Sequence, residues 1–296
     1  HVELFQNVQD MLTWGKFDVL CICTPSGIHH EAAIAAANAK KHILCEKPLD
    51  ITAEHMTRMI EAARKNDVKL GVVLQRRLMP AIKLVKQAIE QGKIGRLVMG
   101  NAYLKYYRSP EYYKSSDWKG TKKLDGGGAL MNQGVHGIDV LLYMLGDVES
   151  LYAYTDHLSH DIEVEDTAVI AMKFRNGAFG TVQGATSVYP GQETRFEIHG
   201  DKGSLEFTDE GFKQWSLMDH DEPLPEVDDV LGLAATKSST QISTVGHEFY
   251  VADMIEAIKE DRDPFVTGEE ARKSVDFVLA VYESARLRKE IKLPQY

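Results

Sequence analysis

Along the first quarter of the chain the hydrophobic residues fall in short unbroken runs. Between these runs lie longer stretches where they recur every three or four positions. "DVLCICTP" (18–25) is almost wholly apolar and is stopped by Pro25, the pattern of a parallel strand buried on both faces. "HHEAAIAAANAK" (29–40) predicts an alanine-rich helix and "KHILCEKP" (41–48) a second short strand. "TAEHMTRMIEAARKND" (52–67) predicts an amphipathic helix with Thr52 as its N-cap, and "VKLGVVLQ" (68–75) a third strand. Alternating strands and helices are the grammar of a doubly wound parallel sheet. Residues 1–20 read as the helix leading into a late strand of such a sheet, and no GxGxxG occurs. The expectation is that a first βαβ unit of at least ~30 residues lies outside the numbered chain.

After residue 76 the pattern changes. Segments 96–107, 150–158, 166–189, 194–209 and 212–218 alternate apolar and polar residues, with turn signals at Asn176-Gly177 and at 200–203. They predict an antiparallel or mixed sheet with one open face. Helices are expected at 131–146, at 247–261 and at 268–289, the last packing back on the body. Residues 219–241 read as a mobile loop. The fold class is therefore α/β. A Rossmann-type parallel sheet, its N-terminal part missing, occupies 1–76. An α+β domain with an open-faced, mainly antiparallel sheet, suited to substrate binding and oligomerisation, occupies 77–296.

Composition narrows the function classes. The 296 residues are 44% hydrophobic and 26% charged, enough for a large core. A net charge of −10 argues against nucleic acid, which demands concentrated Lys and Arg. No apolar run approaches the length of a membrane span, and the N-terminal residues carry no secretory-signal pattern. Three cysteines make no disulfide framework. Cys21 and Cys23 read as small buried strand residues in a reducing cytoplasm.

The candidate chemistry sits in two places. Lys47 follows a strand at the carboxyl edge of the sheet, where open α/β sheets bind ligands. "LDGGGALMNQGVHGIDVLLYMLG" (124–146) has three glycines before a helix, so backbone can approach something closely and free N–H groups can point outward. Asn132 and His136, four apart, share a helix face, and Asp139, three further on, is placed to orient the histidine ring. Two groups, His29, His30 and Glu31, and His157, His160 and the neighbouring acids, contain metal-ligand residue types. Neither has a recognisable ligand spacing, so no metal is expected.

"TPSGIHHEAA", "CEKPLD", "DWKGT" and "DGGGALMNQGVHGIDVLLYMLG", in this order, resemble the glucose-fructose oxidoreductase/inositol dehydrogenase/rhizopine catabolism family over essentially the whole chain. The resemblance implies a Rossmann domain followed by an open-faced α/β domain. It also implies NAD(P)-dependent hydride transfer at a secondary alcohol of a sugar, inositol or nucleotide sugar. By that likeness Lys47 is the lysine of the EKP motif, His136 the proton acceptor, and Asn132 stands where many relatives carry Asp. Thr24, Pro25, His29, Glu46, Lys47, Gln75, Trp118 and Lys119 are then expected at the NAD or NADP cofactor, Lys119 replacing a family arginine. Tyr106, Arg108, Gln133, Asp139 and Tyr189 are expected at the substrate. Arg108 reads equally well as an anion clamp or as a solvated surface arginine. Two other readings fit the same fold: an NAD-dependent glycosidase that oxidises only transiently, and a non-catalytic sugar-binding relative. A homodimer or homotetramer through the open sheet face is expected, because a broad half-apolar sheet rarely stays exposed.

Overall fold

The computed structural model describes residues 2–219, 221–227 and 244–295. Most of the loop expected at 219–241 lies outside these residues. The chain starts with α1 (Val8–Trp14), capped by the Asn7 side chain, and then builds β1 (Val19–Ile22), α2 (His29–Asn38), β2 (His42–Cys45), α3 (Ala53–Asn66) and β3 (Leu70–Val72). The three strands are parallel in the order β1-β2-β3. Thr52 caps α3 as expected, its hydroxyl accepting from His55 N–H at 3.1 Å. Cys21 and Cys23 are exposed, not buried. Along β1 the pattern buries Leu20 and Ile22 and leaves Cys21 outward.

A 3₁₀ turn at Gln75–Leu78 leads into α4 (Pro80–Glu90), an amphipathic helix opened by a proline at its first position. The sequence reading passed over this helix. Then follow β4 (Leu97–Lys105), the short α5 (Pro110–Lys114), a π-helical turn at Ala129–Gly134, and α6 (Val135–Leu145). The remaining strands are β5 (Val148–Asp156), β6 (Thr167–Phe174), β7 (Phe179–Ala185), β8 (Arg195–Gly200), β9 (Gly203–Thr208) and β10 (Gly211–Leu217). The chain ends with α7 (Val245–Lys259), α8 (Gly268–Leu287) and β11 (Ile291–Lys292). Strands β4 to β11 form one sheet of eight among the described residues, ordered β10-β9-β8-β4-β7-β6-β5-β11, with only the β4–β7 pair parallel. The expectation of a mainly antiparallel sheet holds.

The sheet has two unlike faces because apolar residues alternate along its strands. β6 buries Ala168, Ile170, Met172 and Phe174 and turns Val169, Ala171 and Lys173 outward. Helices α6 and α8 cover the inner face, and α8 also reaches α3 and β3. Just before α8, Val72 N–H donates to Val266 O at 3.0 Å, so the last helix is stitched to both sheets.

The strongest polar tie between segments is buried. Arg77, directly after β3, makes a two-pronged bond to Asp139 on α6, Nε to Oδ2 at 2.8 Å and Nη2 to Oδ1 at 2.6 Å. This corrects the expectation for Asp139. Its carboxylate is 2% exposed and committed to Arg77, so it neither orients His136 nor faces a substrate. Removing one partner of a buried pair leaves an uncompensated charge. Arg77 keeps Glu270 at 3.3 Å and the Tyr143 ring, which softens the loss. Asp139→Ala is therefore expected to cost about 3 kcal/mol in urea unfolding, the lower end for such pairs. A loss under ~1 kcal/mol would show the pair to be dispensable.

Candidate active site

Three strand ends and one helix entry converge. Beyond β1 come Thr24 and Pro25, beyond β2 Glu46 and Lys47, and beyond β3 Gln75 and Arg76. A parallel sheet aligns all its carboxyl ends on one edge, so residues far apart in sequence meet there. Lys47 Nζ donates to the main-chain oxygen of Asn132 at 2.9 Å, which ties that edge to the π-helical turn of the second sheet's domain. The Lys47–Pro48 peptide is cis.

Asn132 and His136 straddle the junction of the π-helical turn with α6, so they do not lie on one regular α-helix. Turns of this kind often occur at functional sites. The His136 ring is half-buried, and its Nδ1 is a buried atom with no hydrogen-bond partner. Burial, then Lys47, Arg76 and His247, hold the His136 pKa well below the ordinary histidine range. These influences favour the unprotonated ring, the form a general base must have. Lys47 is itself lowered, chiefly by burial, while Glu46 and Asp125 oppose the shift.

The other expected residues divide. Arg108 donates to Gln133 Oε1 at 2.7 Å and lies over the Tyr112 ring, while Gln133 donates to the Tyr112 hydroxyl at 2.8 Å. Tyr106, buried behind them, lies 3.2 Å from Thr194 Oγ1, while Tyr189 is 78% exposed with its ring edge on Tyr107. Tyr106 and Arg108 also line an open cleft of ≈ 900 Å³ together with Tyr103, Tyr107 and Arg195. Lys119 donates to Ser115 Oγ and sits over Tyr112, and Trp118 is half-buried in the adjoining loop. His29 is corrected. It is 1% exposed, with Nδ1 2.9 Å from Pro48 O and Nε2 2.8 Å from Thr24 O. It offers a cofactor no free polar atom, and instead clamps the loops that carry Thr24 and Lys47.

The three glycines also serve another purpose than expected. A Cβ on Gly128 would collide with the Glu165 carbonyl, one on Gly127 with the Tyr282 hydroxyl, and one on Gly126 with Ile51. The close approach is to the protein's own interior. The N–H groups of Gly128 and Leu130 donate to the buried Glu165 carboxylate at 3.0 and 2.8 Å, so they are not free for an anion.

The histidines of the two candidate metal groups differ in their surroundings. His160 is buried between Asp166 and the Arg108 carbonyl, and His157 is exposed. His30 and His55 both direct Nδ1 at Asp50, at 2.9 and 3.0 Å, with rings stacked 3.6 Å apart. Each Nδ1–H donates to one oxygen of that carboxylate, His30 to Oδ2 and His55 to Oδ1, and the three residues bring their ligand-type atoms within 4.8 Å of one another.

Four residues escaped the sequence reading. Arg76 is buried against Asp209 at 2.8 Å and Thr194 at 2.9 Å. His247 at the start of α7 lies 2.8 Å from Glu46. Asp125 and Glu165 are buried carboxylates around the glycine turn. Asp125 adjoins the glycines and was legible as part of that motif; His247 and Glu165 meet the site only through tertiary structure.

Two family models match the chain, one described as an oxidoreductase family with an NAD-binding Rossmann fold over residues 1–74, the other as a GFO/IDH/MocA C-terminal domain over 82–206. The WlbA dehydrogenase from Bordetella pertussis, solved in complex with NADH and UDP-GlcNAcA, is similar at 36% identity and a TM-score of 0.88, covering 99% of this chain and 84% of that one. The myo-inositol 2-dehydrogenase of Thermotoga maritima is 26% identical over 99% of this chain and 85% of its own length. The uncharacterized oxidoreductase YrbE of Bacillus subtilis is 32% identical over 67% of this chain. The matches span little more than half the length of YrbE (57%) and of the levoglucosan dehydrogenase of Pseudarthrobacter phenanthrenivorans (55%).

Burial raises the Glu165 pKa from 4.5 to about 7. A carboxyl whose pKa is higher folded than unfolded holds its proton more tightly in the native state. Its contribution is therefore most favourable below that window and is lost as pH rises through it, by on the order of 3 kcal/mol. Glu165→Gln should flatten the fall in stability between pH 4.5 and 7, measured by denaturant unfolding across that range. Parallel curves for the two proteins would deny Glu165 this role.

Proposed function

The chain belongs to the GFO/IDH/MocA oxidoreductase family, and on that premise we propose that it transfers a hydride between NAD(H) and a secondary alcohol of a sugar, cyclitol or nucleotide sugar. A nucleotide sugar is the favoured substrate, because the WlbA structure at 36% identity holds UDP-GlcNAcA. The observation that carries the reading is the set of unpartnered polar atoms. Of the five buried side-chain polar atoms without a hydrogen bond among the described residues, three belong to Gln75, Arg108 and His136. Each such atom costs about 1–3 kcal/mol unless something pairs with it. Gln75 follows β3 at the carboxyl edge of the parallel sheet and His136 stands at the entry to α6, the two segments that Lys47 joins.

The residues present suit a nicotinamide cofactor. Thr24, Pro25, Glu46 and Gln75 stand at the carboxyl ends of the parallel strands, and Trp118 and Lys119 lie in the loop that leads to the glycine turn. When bound, the nicotinamide supplies an acceptor for the hydride of the carbinol carbon. His136, neutral and half-exposed, takes the hydroxyl proton as the C–O bond becomes a carbonyl. Lys47 presents an ammonium group where alkoxide charge develops, and Asn132 offers its amide to the substrate without adding charge. We assign Gln133, Tyr106 and Tyr189 to the substrate side, with the Arg108 guanidinium as the anion contact.

We place residues 1–76 in the cofactor domain and 77–296 in the substrate domain, and assign the protein to the cytoplasm. Among the described residues no helix is long and apolar enough to cross a membrane. The open sheet face pairs Met99 with Phe179 and Val169 with Tyr154, and these are 44%, 59%, 50% and 69% exposed. Such a surface supports a homo-oligomer burying on the order of 1,000 Å² or more per interface. Val169→Asp should then lower the mass seen by sedimentation at micromolar concentration; an unchanged monomer in both proteins would remove the interface.

Lys47→Ala should reduce turnover by about 10²-fold or more, with folding intact, since it removes one preorganised charge at a half-exposed position. NADH formation with UDP-GlcNAcA, simple sugars and inositols as substrates is the measurement. Net NADH supports a dehydrogenase. Release of an aglycone without net NADH supports the glycosidase instead, and equal rates in wild type and variant exclude Lys47 from the reaction.

A further inference from the structure

The loop that enters the glycine turn carries a carboxylate to which the proposed reaction gives no part. Asp125 is 1% exposed. Its Oδ2 accepts from Gly120 N–H at 2.8 Å and its Oδ1 from the Asn132 amide, Nδ2, at 2.7 Å. Buried carboxylates usually face a cation directly, whereas the cations acting on Asp125, Lys47 and Lys119, do so without a salt bridge among the described residues. An ionised carboxylate only accepts hydrogen bonds, so it admits one orientation of the Asn132 amide, NH₂ inward and Oδ1 outward.

Asn132 is also the residue whose main-chain oxygen holds Lys47 Nζ. Asp125 and Lys47 therefore meet on opposite sides of one residue, one through its side chain and the other through its backbone. We propose that Asp125 is the positioning residue of this site: from behind Asn132 it fixes the amide so that Oδ1 faces the ligand as an acceptor, and it adds negative charge behind the Lys47 ammonium group. The inference rests on the oxidoreductase reading for its catalytic consequence, though not for its geometry.

The chemistry supports both halves. Asp125 and Glu46 are the groups that raise the Lys47 pKa against burial and Arg76. A carboxylate one layer back preserves that field while leaving a neutral amide toward the ligand. Without the carboxylate, the Asn132 amide can rotate and turn a donor toward the ligand in place of Oδ1, and Lys47 loses one of the two groups, after Glu46, that favour its charged form.

The test uses Asp125→Asn, close in size to the native residue, and the double variant Asp125→Asn/Asn132→Asp, which moves the carboxylate across the same hydrogen bond. The activity-independent readout is the rate at which trinitrobenzenesulfonate labels Lys47 at about pH 8, followed by mass spectrometry of its peptide. Losing a nearby negative charge should raise that rate about threefold or more in Asp125→Asn, and the double variant should return it toward the wild-type value. In turnover, Asp125→Asn should lower kcat about tenfold or more with KM within about threefold. An unchanged labelling rate in Asp125→Asn overturns the proposal. So does equal labelling in single and double variants, which would mean loosened packing and no electrostatic role. Should Asp125→Asn fail to fold, a folded double variant that labels like wild type still supports the proposal, and one that labels faster overturns it. If no protein in the series, each made with the expected upstream βαβ unit, oxidises any substrate, the oxidoreductase reading fails, and the labelling alone decides the place of Asp125.

Discussion

The site depends on one hydrogen bond between distant parts of the chain, from the Lys47 ammonium to the Asn132 carbonyl at 2.9 Å. Lys47 belongs to the carboxyl edge of the parallel sheet, and Asn132 to the turn entering α6, which packs on the second sheet. Every other feature holds one of these two residues in place. His29 fastens the loops after β1 and β2 to each other. Glu165 receives the N–H groups of the glycine turn, and Arg77 with Asp139 locks α6 against the exit from β3. A site made from two domains keeps a fixed geometry only when its supports are themselves committed.

Charge is arranged on the same plan. Lys47 and Arg76 place positive charge beside His136, and burial removes the water that would screen it. A protonated imidazole is disfavoured there, so the histidine rests in the unprotonated form that a general base requires. The negative charges stand one step away: Glu46 beside His247, Asp209 behind Arg76, and Asp125 behind Asn132. An anionic or alkoxide-forming ligand thus meets cations and neutral dipoles first, which is the order that favours charge developing on oxygen.

Much of this was legible in the sequence, and the limits are physical. Lys47, Asn132 and His136 lie in local motifs bounded by proline and glycine, and strand periodicity marked the carboxyl edge, so a linear reading reached them. The same reading assigned Asp139 to His136 because it weighed neighbours on one helix, whereas Arg77 arrives from another segment. It took the three glycines as a ligand cradle, though their neighbours are Ile51, Tyr282 and Glu165. It buried Cys21 and Cys23, which are exposed among the described residues. His247 carries no signal before the fold brings α7 to Glu46, because a lone histidine on a helix is most often structural.

The central claim is that Lys47, held at the Asn132 carbonyl, sets the electrostatics of His136. The direct measurement is the ionisation of the His136 ring by NMR in the wild-type protein and in Lys47→Met. The account predicts a ring that remains neutral well below the ordinary histidine range of roughly 6 to 7, and a clear upward shift of its pKa when Lys47 is lost. An ordinary value, equal in the two proteins, would contradict it.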